Sequence, residues 1–120
     1  MREAMFGTLF RKSKPPLRDG RWKEFNKHAI LISVGHYVRG NKEGLWKEFY
    51  DSGELMLEEE YKQGVLHGRF ISYHPNGRLM SEGNYRQGRR EGYFKVYKEN
   101  GRLFKSLLFI NNNLMEEVEQ

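Results

Sequence analysis

The chain has 120 residues, 38% hydrophobic and 31% charged, with no cysteine and a formal net charge of +5. This is one domain's worth of sequence, slightly wetter than an ordinary globular protein and too polar for a large enclosed core. The lack of cysteine excludes a disulfide framework, thiolate metal ligands and a cysteine nucleophile. No apolar run approaches the roughly 18 residues of a membrane-spanning helix, and the reading is a soluble, cytoplasmic protein.

The charge is unevenly spread. Residues 1–18 carry five Lys/Arg against Glu3 alone, residues 19–115 carry sixteen against twelve acids, and residues 116–120 add Glu116, Glu117 and Glu119. The body is therefore only mildly basic. That balance admits an acidic partner but does not indicate the concentrated basic face that nucleic acid draws.

Residues 1–19 read as a basic N-terminal tail. Phe6 and Phe10 stand next to Arg11 and Lys12, with Pro15 and Pro16 after them. Six residues from Met5 to Phe10 are too short for a signal-peptide core. The segment suits a flexible tail or, as the alternative, a weak contact with a membrane surface.

From residue 20 the chain repeats every 24 residues. Gly20, Gly44, Gly68 and Gly92 share one phase, Gly53, Gly77 and Gly101 a second, and Gly40, Gly64 and Gly88 a third. Aromatic residues keep the same count: Trp22, Trp46, Phe70 and Phe94; then Phe25, Phe49, Tyr73 and Tyr97; then Tyr37, Tyr61, Tyr85 and Phe109. Leu31, Leu55, Leu79 and Leu103 complete the pattern. Four units follow, at 20–43, 44–67, 68–91 and 92–115, leaving 116–120 as an acidic tail. A fixed period of this size marks a stacked repeat architecture.

Each unit reads as two short strands. Asp51-Ser52-Gly53, Pro75-Asn76-Gly77 and Glu99-Asn100-Gly101 are turns that need positive φ, flanked by aromatic and branched residues. A three-residue loop with glycine in the left-handed position pairs His74 with Arg78 and sets Tyr73 opposite Leu79. Regular alternation then carries Tyr85 to the face of Leu79, while the Trp46 position falls on the opposite face from Phe49 unless a bulge intervenes. The first unit lacks the glycine at Asn26-Lys27-His28-Ala29, so its tip is expected to turn differently. A second turn at Lys62-Gln63-Gly64 and Arg86-Gln87-Gly88 returns the chain into the next unit. Asn112 replaces glycine there in the last unit, and Asn is the next residue best tolerated at left-handed φ. The expected fold is all-β: four tandem hairpins in one elongated, twisted antiparallel sheet.

The strings Gly44-Leu-Trp-Lys-Glu-Phe-Tyr-Asp-Ser-Gly-Glu-Leu and Gly68-Arg-Phe-Ile-Ser-Tyr-His-Pro-Asn-Gly-Arg-Leu-Met-Ser-Glu-Gly-Asn-Tyr-Arg-Gln-Gly resemble the variant form of the membrane occupation and recognition nexus (MORN) repeat. The middle two units match well and the outer two loosely. The resemblance implies stacked hairpins serving as an interaction platform. Bacterial proteins of this appearance are often labelled antitoxins of toxin–antitoxin pairs, which implies a toxin as partner.

No catalytic constellation is evident. His28, His36, His67 and His74 share no repeat phase, Glu58-Glu59-Glu60 alternates across a strand, and the glycines punctuate turns instead of cradling phosphate before a helix. No metal or cofactor is expected. The rings are read chiefly as core, with Phe49, Tyr73, Tyr97 and the leucines the most firmly so. Trp22, Trp46, Phe70 and Phe94, on the other face, are the candidate partner-binding residues. In the last unit Leu107, Leu108 and Phe109 make the strand apolar on both faces. Residues 111–120, the N-terminal apolar residues or another chain must cover it, so this terminal edge is the candidate for self-association or docking by strand addition. The sequence reads as a non-enzymatic protein-binding module.

Overall fold

A computed structural model describes residues 17–120, and the expectations for Phe6, Phe10, Arg11 and Lys12 lie outside them. The described residues form β1 (Gly20–Phe25), β2 (Leu31–Val38), β3 (Asn41–Phe49), β4 (Leu55–Lys62), β5 (Val65–Tyr73), β6 (Leu79–Arg86), β7 (Arg89–Arg90), β8 (Gly92–Tyr97), β9 (Leu103–Ile110) and β10 (Asn113–Glu119). They make one open antiparallel sheet in chain order, with β7 a short lead-in to β8 that also pairs with β6. No second layer covers either face among the described residues. Among the described residues each hairpin pairs with its neighbours in chain order, as in other one-dimensional repeat arrays.

The hairpin tips follow the expected geometry. His74 N–H donates to the Arg78 carbonyl at 2.7 Å, Gly77 N–H donates to the His74 carbonyl at 2.8 Å, and Tyr73 sits opposite Leu79. The first unit departs from expectation by conforming. Ala29 takes the glycine position at φ 64°, and the same two backbone bonds form at Asn26. The Asn26 side chain stabilises this tip by accepting from the N–H groups of His28 (2.8 Å) and Ile30 (3.0 Å), which offsets the steric cost of an alanine there.

The return turns are two-residue loops with both φ values positive: Arg39-Gly40, Gln63-Gly64, Gln87-Gly88 and Asn111-Asn112. This is the turn whose twist matches that of the strands it joins. Asn112, at φ 69°, does the work of glycine as expected.

One extra residue decides the faces. Glu48 pairs with Leu57 but Phe49 with Leu55, and Ser72 pairs with Ser81 but Tyr73 with Leu79. Met56 and Met80 are thus bulged, as are Ile32 and Phe104 in the outer units. A bulge between Leu79 and Ser81 breaks the two-residue alternation, so Tyr85 lies on the face opposite Leu79. The expectation that they share a face is corrected. Trp46 does lie opposite Phe49, because β3 is regular between them.

A second irregularity occurs at the first glycine of the second, third and fourth units. Between the pairs His36–Glu43 and Val34–Lys47, β3 spends four residues where β2 spends two, and Gly44 there has φ 75°. Beyond the kink the Trp46 ring lies over Gly35. Past it, Glu48, Leu57, Ser72, Ser81, Val96 and Lys105 pair in one unbroken row. Successive units therefore repeat without slippage, two strands or about 9.6 Å apart.

Candidate interaction surfaces

One face carries a column of rings. Trp22, Tyr37 and Trp46 meet edge to face at centroid distances of 5.7 and 5.0 Å, and Phe70, Tyr85, Phe94 and Phe109 form a second run at 6.1, 5.5 and 5.5 Å, with Tyr61 between the two. Such pairs add to the value of the area they bury. The column closes because the facing strand gives way. A Cβ on Gly35 would lie inside the Trp46 indole, and one on Gly83 would stand 2.5 Å from Phe94 Cδ2. Cations sit over the rings at one more repeat phase: Arg18 over Trp22 at 4.5 Å, Lys42 over Trp46 at 4.6 Å and Arg90 over Phe109 at 4.2 Å. Leu66 holds the corresponding position ahead of Phe70. The Trp46 indole also donates to the His36 carbonyl at 3.1 Å.

This column corrects the expected core. Trp46, Phe109 and Phe94, with exposures of 2%, 4% and 8%, are the buried hydrophobic residues, whereas Phe49, Tyr73, Tyr97 and the leucines opposite them are half-buried. Of the residues expected to touch a partner, Trp46 and Phe94 have almost no surface left to offer. Trp22 and Phe70 stay partly open.

The expected terminal edge is also displaced. Leu107, Leu108 and Phe109 lie in β9, and Asn113–Glu119 folds back on it as β10. The acidic residues expected as a tail are thus part of a strand. Glu116 stands where the other units have glycine, so the shift is a one-residue bulge, and Val118 pairs with Ser106 on the face away from the rings. Leu107 is faced by Glu117, which Lys105 engages at 3.2 Å. This acidic strand caps the array, and the sheet's edges are β1 and β10.

Side chains latch each unit to the next. The first N–H of each return turn donates to the residue before the unit's glycine: Arg39 to Asp19 (3.2 Å), Gln63 to Glu43 (2.8 Å), Gln87 to His67 Nδ1 (3.1 Å) and Asn111 to Glu91 (3.1 Å). His67 thus occupies an acceptor position held elsewhere by carboxylates. Asp19, Glu43, His67 and Glu91 are 24 residues apart, a signal present in the sequence. At the other margin, the Tyr50 hydroxyl donates to the Tyr73 carbonyl at 2.6 Å, and His74 Nε2 lies 2.9 Å from the Tyr97 carbonyl.

The tyrosine hydroxyls facing carboxylates are held protonated. Tyr97 donates to Glu82 at 2.7 Å, and that bond, with burial, pushes its pKa up to about 12. Burial, then the neighbouring Glu58, raises Tyr73, and burial followed by the bond to Glu59 raises Tyr61 further. These phenols are structural donors to acids: the charge of Arg69 beside Tyr73 only partly offsets the rise.

The face opposite the rings holds a trough. Three open depressions of about 530, 190 and 440 Å3 succeed one another along it. The first is lined by Arg21, Val34, His36, Leu45 and Lys47, the second by Leu45, Glu58, Glu60, Arg69 and Ile71, and the third by Arg69, Glu82, Asn84, Tyr93 and Lys95. Each set is the previous one advanced by 24 residues. Leu45 and Arg69 are shared walls, so the depressions form one channel crossing the strands. Leu45 and Tyr93 are 51% and 55% exposed. The strand reading missed this surface because it follows from the glycine kinks. Its sequence signal is the phase Arg21, Leu45, Arg69 and Tyr93, one residue past each glycine.

Among the described residues, no group of three or more His, Asp or Glu is placed to hold a metal ion, and no helix is long and apolar enough to cross a membrane. Residues 42–63 and 66–87 match the family model described as the MORN repeat variant. No functionally curated protein matches the sequence. Among solved structures, the fold is similar to part of TarM, with a TM-score of 0.52 and 11% identity over 98% of this chain and 23% of that one. It is likewise similar to a point mutant of S. aureus TarM in complex with fondaparinux, α-GlcNAc-glycerol and UDP, with a TM-score of 0.53 and 12% identity over 98% of this chain and 24% of that one. The chain spans about a quarter of these structures, and the likeness is one of fold. The middle of the chain is similar to the MORN repeat variant, in an all-β sheet of tandem hairpins.

Proposed function

We propose that this chain is a non-enzymatic interaction module that holds a segment of another protein in the trough opposite its ring column. The observation that supports the reading is the threefold recurrence of one open, partly apolar depression at the repeat spacing, on a sheet whose other face is spent on its own aromatic core. A surface repeated in this way offers a partner several equivalent contacts in line, each weak alone and additive when engaged together. The MORN-variant match fits this role, since such repeats commonly serve protein or membrane interactions.

The test is affinity capture from cells with three baits: the wild-type chain, a Leu45→Glu/Tyr93→Ser variant and a Trp22→Ala/Phe70→Ala variant, each checked for folding by circular dichroism. The trough variant should lose the wild-type partners. Their full recovery with that bait would remove the trough from the account, and their loss with the ring variant alone would return the contact to Trp22 and Phe70. The narrower reading, an antitoxin-like chain that occludes a toxin, is supported by resemblance alone. It predicts that the captured partner arrests growth when produced without this chain.

A further inference from the structure

We infer that the trough selects an extended peptide segment in polyproline II conformation carrying acidic, basic and acidic side chains at three-residue intervals. This rests on the proposed interaction role and names the partner's chemistry.

The first argument is length. Neighbouring depressions are one repeat apart, two strands or about 9.6 Å. A polyproline II segment rises about 3.1 Å per residue with three residues per turn, so side chains three apart point the same way about 9.3 Å apart. An extended strand advances a similar distance in three residues but turns alternate side chains away, so its residues three apart face opposite sides. Polyproline II is thus the backbone that delivers one side chain to each depression from the same side. Three depressions take positions i, i+3 and i+6. The exposed Leu45 and Tyr93 offer apolar contacts to the intervening residues, and aromatic surface is what proline-rich segments dock on.

The second argument is charge. In the first depression Arg21 and Lys47 outweigh Glu43. Glu58 and Glu60 outweigh Arg69 in the second, and Arg69 and Lys95 outweigh Glu82 in the third. Glu43, Glu58, Glu60 and Glu82 each accept a hydrogen bond from a neutral donor, which leaves their charge in place. Arg21, Arg69 and Lys95 form no ion pair among the described residues, and Lys47 reaches Glu58 only at 3.7 Å with both partly exposed. The array reads positive, negative, positive. A ligand of opposite order gains at all three positions, and one of the same order is repelled at all three.

The experiment is fluorescence anisotropy with the whole chain at low salt and three labelled heptapeptides. The first is Glu-Pro-Pro-Lys-Pro-Pro-Glu, the second its charge-swapped form Lys-Pro-Pro-Glu-Pro-Pro-Lys, and the third a permutation with the same charges on adjacent residues. The first should bind at least about tenfold more tightly than either other, as two to three weak, screened charge contacts allow. Arg21→Glu and Lys95→Glu should each weaken it several-fold, and the double variant should favour the swapped peptide, with circular dichroism unchanged. Equal binding of the three peptides, no binding of the first, or indifference to both substitutions would overturn the charge code. If capture of natural partners still depends on Leu45 and Tyr93 in that event, the interaction role stands and only this recognition code is lost.

Discussion

Replacing Gly83 by alanine adds one methyl group to the sheet, and its cost should depend entirely on Phe94. The φ of Gly83 lies outside the left-handed region, so alanine fits the backbone, but its Cβ would stand 2.5 Å from the Phe94 ring. Phe94 is 8% exposed and meets Tyr85 and Phe109 edge to face, each at 5.5 Å. Moving the ring by about an ångström strains both contacts, each worth about 0.5–1.5 kcal/mol beyond area, and overpacking of this kind typically costs about 1–3 kcal/mol. Alanine restricts the unfolded chain more than glycine and returns about 0.5–1 kcal/mol. The net loss should be about 1–2 kcal/mol. Phe94→Ala alone should cost about 3–4 kcal/mol. In that background Gly83→Ala should cost nothing or stabilise slightly, since the methyl group enters space the ring has left. Equilibrium urea unfolding of the four proteins, followed by circular dichroism, completes the cycle, and a coupling of about 1–2 kcal/mol is expected. Additive costs, within about 0.5 kcal/mol, would refute the ring-over-glycine packing.

Further outcomes follow from the turns, the phenols and the cap. Ala29→Gly should stabilise the chain by about 0.5–1 kcal/mol in the same urea assay, since relief of left-handed alanine, about 1–2 kcal/mol, exceeds the entropy lost with glycine. Tyr97 has a raised pKa in the fold, so its contribution is complete below the ordinary phenol value near 10 and is lost as pH rises through about 12. The thermal midpoint of the wild type should therefore fall across that window, and Tyr97→Phe should reduce the fall. Ending the chain at Ile110 removes β10 and exposes β9, apolar at Leu107, Leu108 and Phe109. Size-exclusion chromatography should then show association or precipitation where the full chain shows none of that added association.

The repeat, the turns and the order of strands were readable because each depends on local chemistry. Gly77 and Asn112 mark positions where φ must be positive, and aromatic phases 24 residues apart report a unit length directly. The faces were less readable, because they depend on counting. A single bulged residue, Met80, reverses every side chain beyond it and carries Tyr85 from one face to the other. The burial of Trp46 and Phe94 was written in the sequence at Gly35 and Gly83, but as space left vacant, which hydrophobic patterning does not register. Ala29 turned like a glycine because the Asn26 side chain and the neighbouring units hold the tip, a tertiary effect overriding a local preference. The trough arises from kinks at Gly44, Gly68 and Gly92, and a flat picture of each strand has no place for it.

The central claim is that contact with a partner runs along the trough. Amide chemical-shift mapping of the isotope-labelled chain, titrated with the partner recovered by capture, tests it most directly. The account predicts perturbations recurring every 24 residues around Leu45, Arg69 and Tyr93, with the ring column unchanged. Perturbations gathered on Trp22 and Phe70, or confined to β1 or β10, would contradict it.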